Sequence, residues 1–552
     1  MKIILCAINS KYIHSSLGVW YLASAIRRDS LGTPFEVVEA TINEKVEDII
    51  SRISINDGDI IGFSTYIWNK SVVLDLCRKI KVDKNVTVFL GGPEVSYNSK
   101  EILEENDFVD FVICGEGEIP VSKIAKGEEI SKIEGVSYRE NGEIREGKPY
   151  ISYDEPPCPY IPEYFKSLNG RIAYIETSRG CPFSCAFCLS GRCGGVRFFN
   201  LNKSKENIIL LANSGTQTVK FIDRTFNANK KRANEIFGFI IENYGGSIPK
   251  GVRFHFEIEA ELVDEEMIDI ISAAPAGLFQ FEIGIQTFNT KSLESINRKA
   301  DNGKISEVVE KLLALQNVHI HTDLIAGLPY EDMGSFKNSF NLAYKMKPHM
   351  LQLGFLKVLH GTKIREEKKE YKFDFSHTPP YEICSNEWIS VDELAKLHSF
   401  EDVFEKMYNS QRFGCTVSYL DSIFEDSFEM YRNFADYIEK AGLKNNLDDF
   451  TKSLFDYFGS CHGVNKDALR DALAIDRLAT NRMGALPWFL KVKSTRLKEV
   501  LNELEKYADT KRPEGVKRAA TELLSRKMIV YVDYVNKNEI TGRYKSAFLH
   551  IQ

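Results

Sequence analysis

Apolar and polar positions along the first 130 residues switch between two periods. Residues 2–8, 35–40, 60–64, 86–90 and 108–114 are short, nearly continuous apolar runs, the pattern of strands buried on both faces. Between them, residues 17–28, 45–55, 71–81 and 100–106 repeat apolar side chains at helical spacing. This alternation predicts an α/β domain with a parallel sheet and helices on both faces, a doubly wound Rossmann-like arrangement over residues 1–130. Residues 131–170 break the pattern. There, 133–139 and 143–153 read as short strands or a hairpin, and the proline-rich stretch 154–162 favours extended backbone and forbids helix, so the segment reads as a linker. From 171 to 372 the alternation resumes, with strands expected at 171–176, 218–222, 253–259, 278–286, 319–326 and 350–356, six strand–helix units in all. Residues 373–552 read as mostly helical, through 391–408, 418–441 and 466–480. They end in a β-hairpin formed by 528–535 and 544–551 around Asn-Lys-Asn-Glu-Ile-Thr-Gly.

Composition narrows the class. The chain has 552 residues, 43% hydrophobic and 27% charged, as ordinary soluble globular proteins do. It has no apolar run of about 18 residues, so no membrane helix is expected. The opening Met-Lys-Ile-Ile-Leu-Cys-Ala-Ile is too short for a signal peptide and reads as a first buried strand. Eleven cysteines in this length do not suggest a disulfide framework, and a reducing, cytoplasmic location is the expectation. The net charge of −7 is uneven. From Lys491 onward fourteen Lys and Arg face eight Asp and Glu, a balance of +6 that leaves −13 for the rest. A basic end of this kind is either a solvated helix face or a phosphate or nucleic-acid contact.

The chemistry concentrates in Thr-Ser-Arg-Gly-Cys-Pro-Phe-Ser-Cys-Ala-Phe-Cys, where Cys181, Cys185 and Cys188 are spaced C-x3-C-x2-C. Three thiolates on a four-iron cubane leave one iron without a protein ligand, an open position for a chelating small molecule. A zinc site with Cys193 as fourth ligand is the alternative, although the spacing matches no usual zinc pattern. The motif, with the aromatic Phe187 before its last cysteine, resembles that of the radical S-adenosylmethionine (SAM) superfamily. The resemblance implies a partial (β/α)6 TIM barrel carrying a [4Fe–4S] cluster. Its reduction of bound SAM gives methionine and a 5′-deoxyadenosyl radical that abstracts hydrogen from substrate.

Residues 1–130 resemble the cobalamin-binding domain that precedes many radical SAM cores, through Ile-Gly-Phe-Ser-Thr (61–65), Gly-Gly-Pro-Glu (91–94) and Cys-Gly-Glu-Gly-Glu (114–118). No Asp-x-His-x-x-Gly offers the usual lower cobalt ligand. Tyr12, His14, Tyr66 and Trp68 fall in loops after strands, where aromatic rings either stack on a corrin or fill its place. Cobalamin therefore stays open beside the cluster and SAM.

By position in the expected barrel, the superfamily pattern gives Asp223 to the methionine end of SAM, with Arg224 near its carboxylate or a substrate phosphate. Glu257, Glu259 and Glu261 face one way along or just past the third strand and need partners if buried. Glu282, Gly284 and Gln286 share one face of the fourth strand, where polar groups of the superfamily reach ribose or substrate. Asp323, Gly327 and Leu328 close the fifth strand, where backbone holds adenine, and Phe187 packs on the same base. His360, Gly361 and Thr362 either face substrate or cap a loop. Cys193 is either a hydrogen donor or a structural thiol. No residue stands out as catalytic acid or base.

The C-terminal segment resembles that of a clostridial-type group of radical SAM proteins, which includes an enzyme releasing the base queuine from queuosine or its 5′-phosphate. The first expectation is therefore a lyase acting on a nucleoside or nucleotide. Alternatives are a cobalamin-dependent methyltransferase, a tRNA-modifying methylthiotransferase and a corrinoid-binding sensor. The overall acidic chain suits a small substrate better than polymeric nucleic acid. The expected electron donor is a flavodoxin or ferredoxin, and no membrane partner is expected.

Overall fold

The protein is described from a computed structural model over residues 1–442, 446–480, 485–507 and 518–550. These divide into two compact units. The first holds Met1–Glu282, Lys291–Asp301 and Phe355–Glu387, and the second Ile283–Thr290, Asn302–Gly354 and Trp388–Gln552.

In the first unit, β1 (Ile3–Asn9), β2 (Phe35–Thr41), β3 (Ile60–Ser64), β4 (Thr87–Gly91) and β5 (Phe111–Ile113) pair in parallel in the order β2-β1-β3-β4-β5. All seven residues of β1 are buried, because helices cover both faces of a central parallel strand. The segment read as a linker contributes β6 (Val136–Glu140) and β7 (Glu143–Arg145), which extend the same sheet antiparallel beyond β5. The seven-stranded sheet is therefore mixed.

A second set begins with β8 (Ala173–Ile175), followed by a two-residue pairing of β9 (Ser178–Arg179) with β10 (Arg197–Phe198), which closes the base of the cysteine loop. Strands β11 (Thr218–Phe221) and β12 (Arg253–Ile258) lie parallel to β8 in the order β8-β11-β12. Phe256 packs on Phe221 of β11 and on Phe237 of the helix Lys230–Asn243, with ring centroids 4.4 Å and 5.1 Å apart. The next strand, β13 (Phe279–Gln286), passes from the first unit into the second and alternates buried and half-buried residues throughout. The second unit adds β14 (His319–Ala326), and β15 (Met350–Phe355) leads out of it. All six strands expected between 171 and 372 are present, shortened by one or two residues at half of their ends. The first unit also holds a short antiparallel pair, β16 (Asp374–Phe375) and β17 (Ile383–Ser385).

Among the described residues, those beyond 388 are mostly helical up to the final strands. The single helix expected over 418–441 is two helices, Gly414–Asp421 and Ser427–Ala441. Asp426 caps the second, its side chain accepting from the Glu429 backbone N–H. Helices Leu447–Phe458 and Thr495–Tyr507 escaped the sequence reading. At the end, β19 (Met528–Lys537) pairs antiparallel with both β18 (Ala519–Glu522) and β20 (Tyr544–His550), so the expected hairpin has a third strand. No helix among the described residues is long and apolar enough to cross a membrane.

Candidate cofactor and substrate site

β8 runs directly into the cysteine loop. Gly180, at φ +92°, turns the backbone left-handed just before Cys181, a conformation that favours glycine. Neighbouring polar groups already address the thiols. Thr225 Oγ1 lies 3.3 Å from Cys181 Sγ, the Ser190 N–H donates to Cys188 Sγ over 3.4 Å, and an Arg298 guanidinium N–H lies 3.8 Å from Cys185 Sγ. Burial pushes the Cys185 thiol up and Arg298 pulls it back.

Three consecutive residues grip this loop from outside it. Ile296 O accepts from the Ala186 N–H (2.8 Å), Asn297 Nδ2 donates to Ser184 O and Oγ (3.1 and 2.7 Å), and Arg298 reaches Cys185. Arg298 is itself paired with buried Glu259 at 2.9 Å, and Asn227 fixes the Glu259 backbone on both sides. No signal near the motif marks this grip, because Arg298 is remote from it in the chain. The three cysteines and their donors fit a cluster with three protein ligands. The side chain of Cys193, the expected hydrogen donor or fourth ligand, lies outside the described residues.

The other expected site residues divide by role. Asp223 is buried, and its carboxylate accepts from Thr177 N–H (3.0 Å), Thr177 Oγ1 (2.7 Å) and Ser178 Oγ (2.6 Å), holding the turn that precedes the cluster loop. Phe187 is half-buried. Arg224 is mostly exposed, 3.8 Å from Glu257, and Glu261 accepts from the Asp301 N–H at 2.9 Å. Glu282 receives His255 Nε2 at 2.9 Å and Lys220 Nζ at 3.3 Å. The strand alternation could have singled out both donors. His360 accepts from Arg365 (3.1 Å), and burial with that cation beside it lowers its pKa to about 4; Thr362 Oγ1 donates to Leu359 O at 2.7 Å within the same turn.

In the second unit, Gln286 ends β13 at φ +71°, a left-handed conformation uncommon for a side chain of its kind, and its amide folds back over Gly284. Gly327 (φ +86°) and fully buried Leu328 turn the chain after β14, and Asp323 pairs with His321 at 2.9 Å. A residue that the sequence reading missed supports the Gln286 turn. Glu331 is fully buried and accepts from Thr287 Oγ1 and from Ser339 Oγ (3.1 Å), while Ser339 Oγ accepts from the Phe288 N–H (3.0 Å).

Burial raises the Glu331 pKa to about 7, from 4.5 in an unfolded chain. The protonated form is the one that the fold favours. Its contribution to stability is complete below the unfolded value and is lost as pH rises through about 7. Glu331→Gln, neutral throughout, is expected to flatten that fall. Thermal unfolding midpoints of the variant and the parent between about pH 5 and 8 check it. Parallel curves would refute a buried, protonated Glu331.

A cavity of about 630 Å³ lies within the first unit, at the C-terminal ends of β3, β4 and β5. Gly91, Gly92, Gly115 and Gly117 wall one side, and Leu189, Ser190 and Arg192 of the cysteine loop face them. A Cβ on Gly18 or Gly91 would meet no atom closer than 3.9 or 3.7 Å, so both walls stay flat and open. Gly92 (φ +108°) brings its backbone against Thr65, an approach that a side chain would block. Deeper in, the Phe89 ring lies over Gly62 and stacks on Phe111 (5.2 Å), which closes the floor.

Such walls fit the broad face of a corrin at the strand ends. No histidine is among the lining residues, so cobalt would take no imidazole from this chain there. Of the four aromatic-loop residues expected near a corrin, only Tyr66 lines the cavity. His14 turns away, with Nδ1 2.6 Å from Tyr174 OH, Tyr12 lines a different groove, and Trp68 stacks behind Tyr66 (4.3 Å).

Comparison with known proteins agrees with this geometry. The Radical SAM superfamily matches residues 175–343, the B12 binding domain residues 3–125, and a protein family of unknown function, DUF4080, residues 369–541. Residues 175–343 thus match a radical SAM domain and residues 3–125 a B12-binding domain, and the expected cofactor set of [4Fe–4S] cluster and SAM, with cobalamin beside them, stands.

Among curated relatives, it is 28% identical over 368 residues to an uncharacterized methyltransferase of Pyrococcus horikoshii, covering 63% of this chain and 77% of that one. It is 25% identical over 346 residues to the cobalamin-dependent radical SAM methyltransferase TokK of Streptomyces tokunonensis, covering 57% of this chain and 49% of TokK. The fold resembles that of the cobalamin-dependent S-adenosylmethionine radical enzyme OxsB, with a TM-score of 0.58 and 16% identity over 92% of this chain and 82% of the other.

Proposed function

We propose that the protein is a cobalamin-dependent radical SAM methyltransferase acting on a small molecule. The observation that carries this reading is the glycine-walled cavity, which opens from the B12-binding strand ends straight onto the cysteine loop. The methyltransferase names of the relatives support it over the queuine-releasing lyase, for which the comparisons offer no support. When bound, the cluster with SAM supplies a carbon radical that removes a hydrogen atom, and the corrinoid supplies a methyl group.

This chain's residues position those groups. Cys181, Cys185 and Cys188 hold three irons, and Asp223 fixes the turn ahead of them. Phe187, Gln286, Gly327 and Leu328 are proposed to hold SAM, with Glu282 toward ribose or substrate. Gly91, Gly92, Gly115 and Tyr66 would hold the corrin. On this reading residues 1–130 bind cobalamin, 131–170 connect, 171–372 form the radical core as a partial barrel, and 373–552 form a further domain. Electrons come from a flavodoxin or ferredoxin, and the setting is cytoplasmic.

The test is anaerobic reconstitution with iron, sulfide and hydroxocobalamin, followed by desalting and incubation with SAM and a reductant. Stoichiometric retained corrinoid and cobalamin-dependent S-adenosylhomocysteine are expected. Gly91→Trp, which fills the cavity, is expected to lose the corrinoid and keep the cluster. Retention of the cluster by the parent protein without any corrinoid would defeat the reading.

A further inference from the structure

Closed β/α sheets usually fill their inner layers with branched aliphatic side chains. The first unit departs from this in one layer. Lys220 of β11 is in direct register with Tyr174 of β8 on one side and with His255 of β12 on the other. His255 and Lys220 both reach Glu282 of β13, at 2.9 and 3.3 Å. Four adjacent strands thus present Tyr174, Lys220, His255 and Glu282 as one polar row. The alternate positions Val219, Phe221, Phe254, Phe256 and Phe281 are buried on the opposite face. The row lies near the C-terminal ends of β8 and β11, the end at which such folds do chemistry, and β8 continues from Tyr174 into the cysteine loop.

A purely structural ion pair does not account for the row. Polar groups in a strand layer are costly when left unsatisfied, and an aliphatic layer would avoid that cost. The Lys220 and Glu282 side chains are still 29% and 25% exposed, so the layer is reachable. Glu282 is answered by two donors. Lys220 spends one of its three N–H groups on Glu282, and its other protons point to no acceptor among the described residues. Lys220 therefore keeps N–H groups for a further acceptor. His14, brought in from the loop after β1, takes up Tyr174 OH at 2.6 Å and fixes the phenol beside Lys220. That loop is itself anchored to the strand, with Ile13 O accepting from the Ile172 N–H at 2.9 Å.

We propose that this row anchors the substrate through an anionic oxygen group, a carboxylate or a phosphate, bound by Lys220 with Tyr174 held beside it by His14. The inference rests on the radical SAM reading for the identity of the bound molecule as substrate.

The test uses the full-length, anaerobically reconstituted protein, titrated with inorganic phosphate followed by ³¹P linewidth and with ¹³C-acetate followed by ¹³C linewidth. The parent protein is expected to bind at least one of the two. Phosphate alone assigns a phosphorylated substrate, and acetate alone a carboxylic acid. Lys220→Met is expected to weaken that binding at least tenfold, and Lys220→Arg, which keeps the charge, to stay within threefold. Lys205→Met, which removes a surface pair with Glu235, is expected to leave it unchanged. Retained cluster absorbance reports that each variant is folded. Binding of neither anion by the parent protein, or equal binding by Lys220→Met, would overturn the proposal. Reductive SAM cleavage to 5′-deoxyadenosine is measured in the same samples. Cleavage without anion binding removes the anchoring site and leaves the radical reading, whereas absent cleavage in the parent removes the radical reading itself.

Discussion

Cys185→Ala is expected to abolish both the iron–sulfur chromophore and reductive SAM cleavage. With two thiolates the cubane loses its hold on a second iron, and the two open irons no longer define a single chelating position for SAM. Cys185 is the middle ligand, in the part of the loop gripped through Ser184, Cys185 and Ala186 by residues 296–298. Its backbone carbonyl also accepts from the Cys188 N–H at 3.0 Å, so the two ligands share one turn. The variant therefore isolates the lost thiolate rather than a lost loop. Iron and acid-labile sulfide content, read beside 5′-deoxyadenosine formation, checks it. Cys193→Ala is the control. Full iron content there separates a three-cysteine cluster from the zinc alternative, in which Cys193 is a fourth ligand.

The site was legible in the sequence where chemistry is carried by residues close together in the chain. C-x3-C-x2-C is a local signal, and so are Gly91-Gly92 and Gly115-Glu116-Gly117, each placed just after an apolar run. Strand positions followed from period alone, because a parallel strand between helices leaves little choice of side chain. What stayed hidden depends on pairing across distance. Asp223 looks like a ligand by position, yet three donors from Thr177 and Ser178 occupy it, and nothing in the sequence marks those donors. His14 sits in the right loop to approach a corrin, and a bridge to Ile172 turns it toward Tyr174 instead. The helix expected over 418–441 was broken by a capping aspartate that apolar spacing does not register. Glu331 follows Gly-Leu-Pro-Tyr and reads as an ordinary loop carboxylate, until burial beside Thr287 and Ser339 shows that it supports the Gln286 turn.

Arg298 provides the sharpest test of how the cluster loop is held. Its side chain and that of Glu259 are only 12% and 9% exposed, and their 2.9 Å contact neutralises two charges that neither could carry alone in that setting. Burial raises the Glu259 pKa, and the guanidinium holds it down. Removing one partner of such a pair leaves the other as an uncompensated buried charge, a loss of about 3–5 kcal/mol. Arg298→Met is therefore expected to lower the stability of the cluster-free protein by about that amount, as read from urea unfolding followed by far-UV circular dichroism. The cost comes mainly from the stranded Glu259 carboxylate, so Glu259→Gln in the same chain is expected to recover much of it, a coupling of about 1–3 kcal/mol in a double-mutant cycle. Strictly additive losses would mean that the two side chains act independently, and the grip on Cys185 would then rest on Ile296 and Asn297 alone. Because the measurement is made without iron, it separates the support that this pair gives the loop from any effect on the cluster or on SAM.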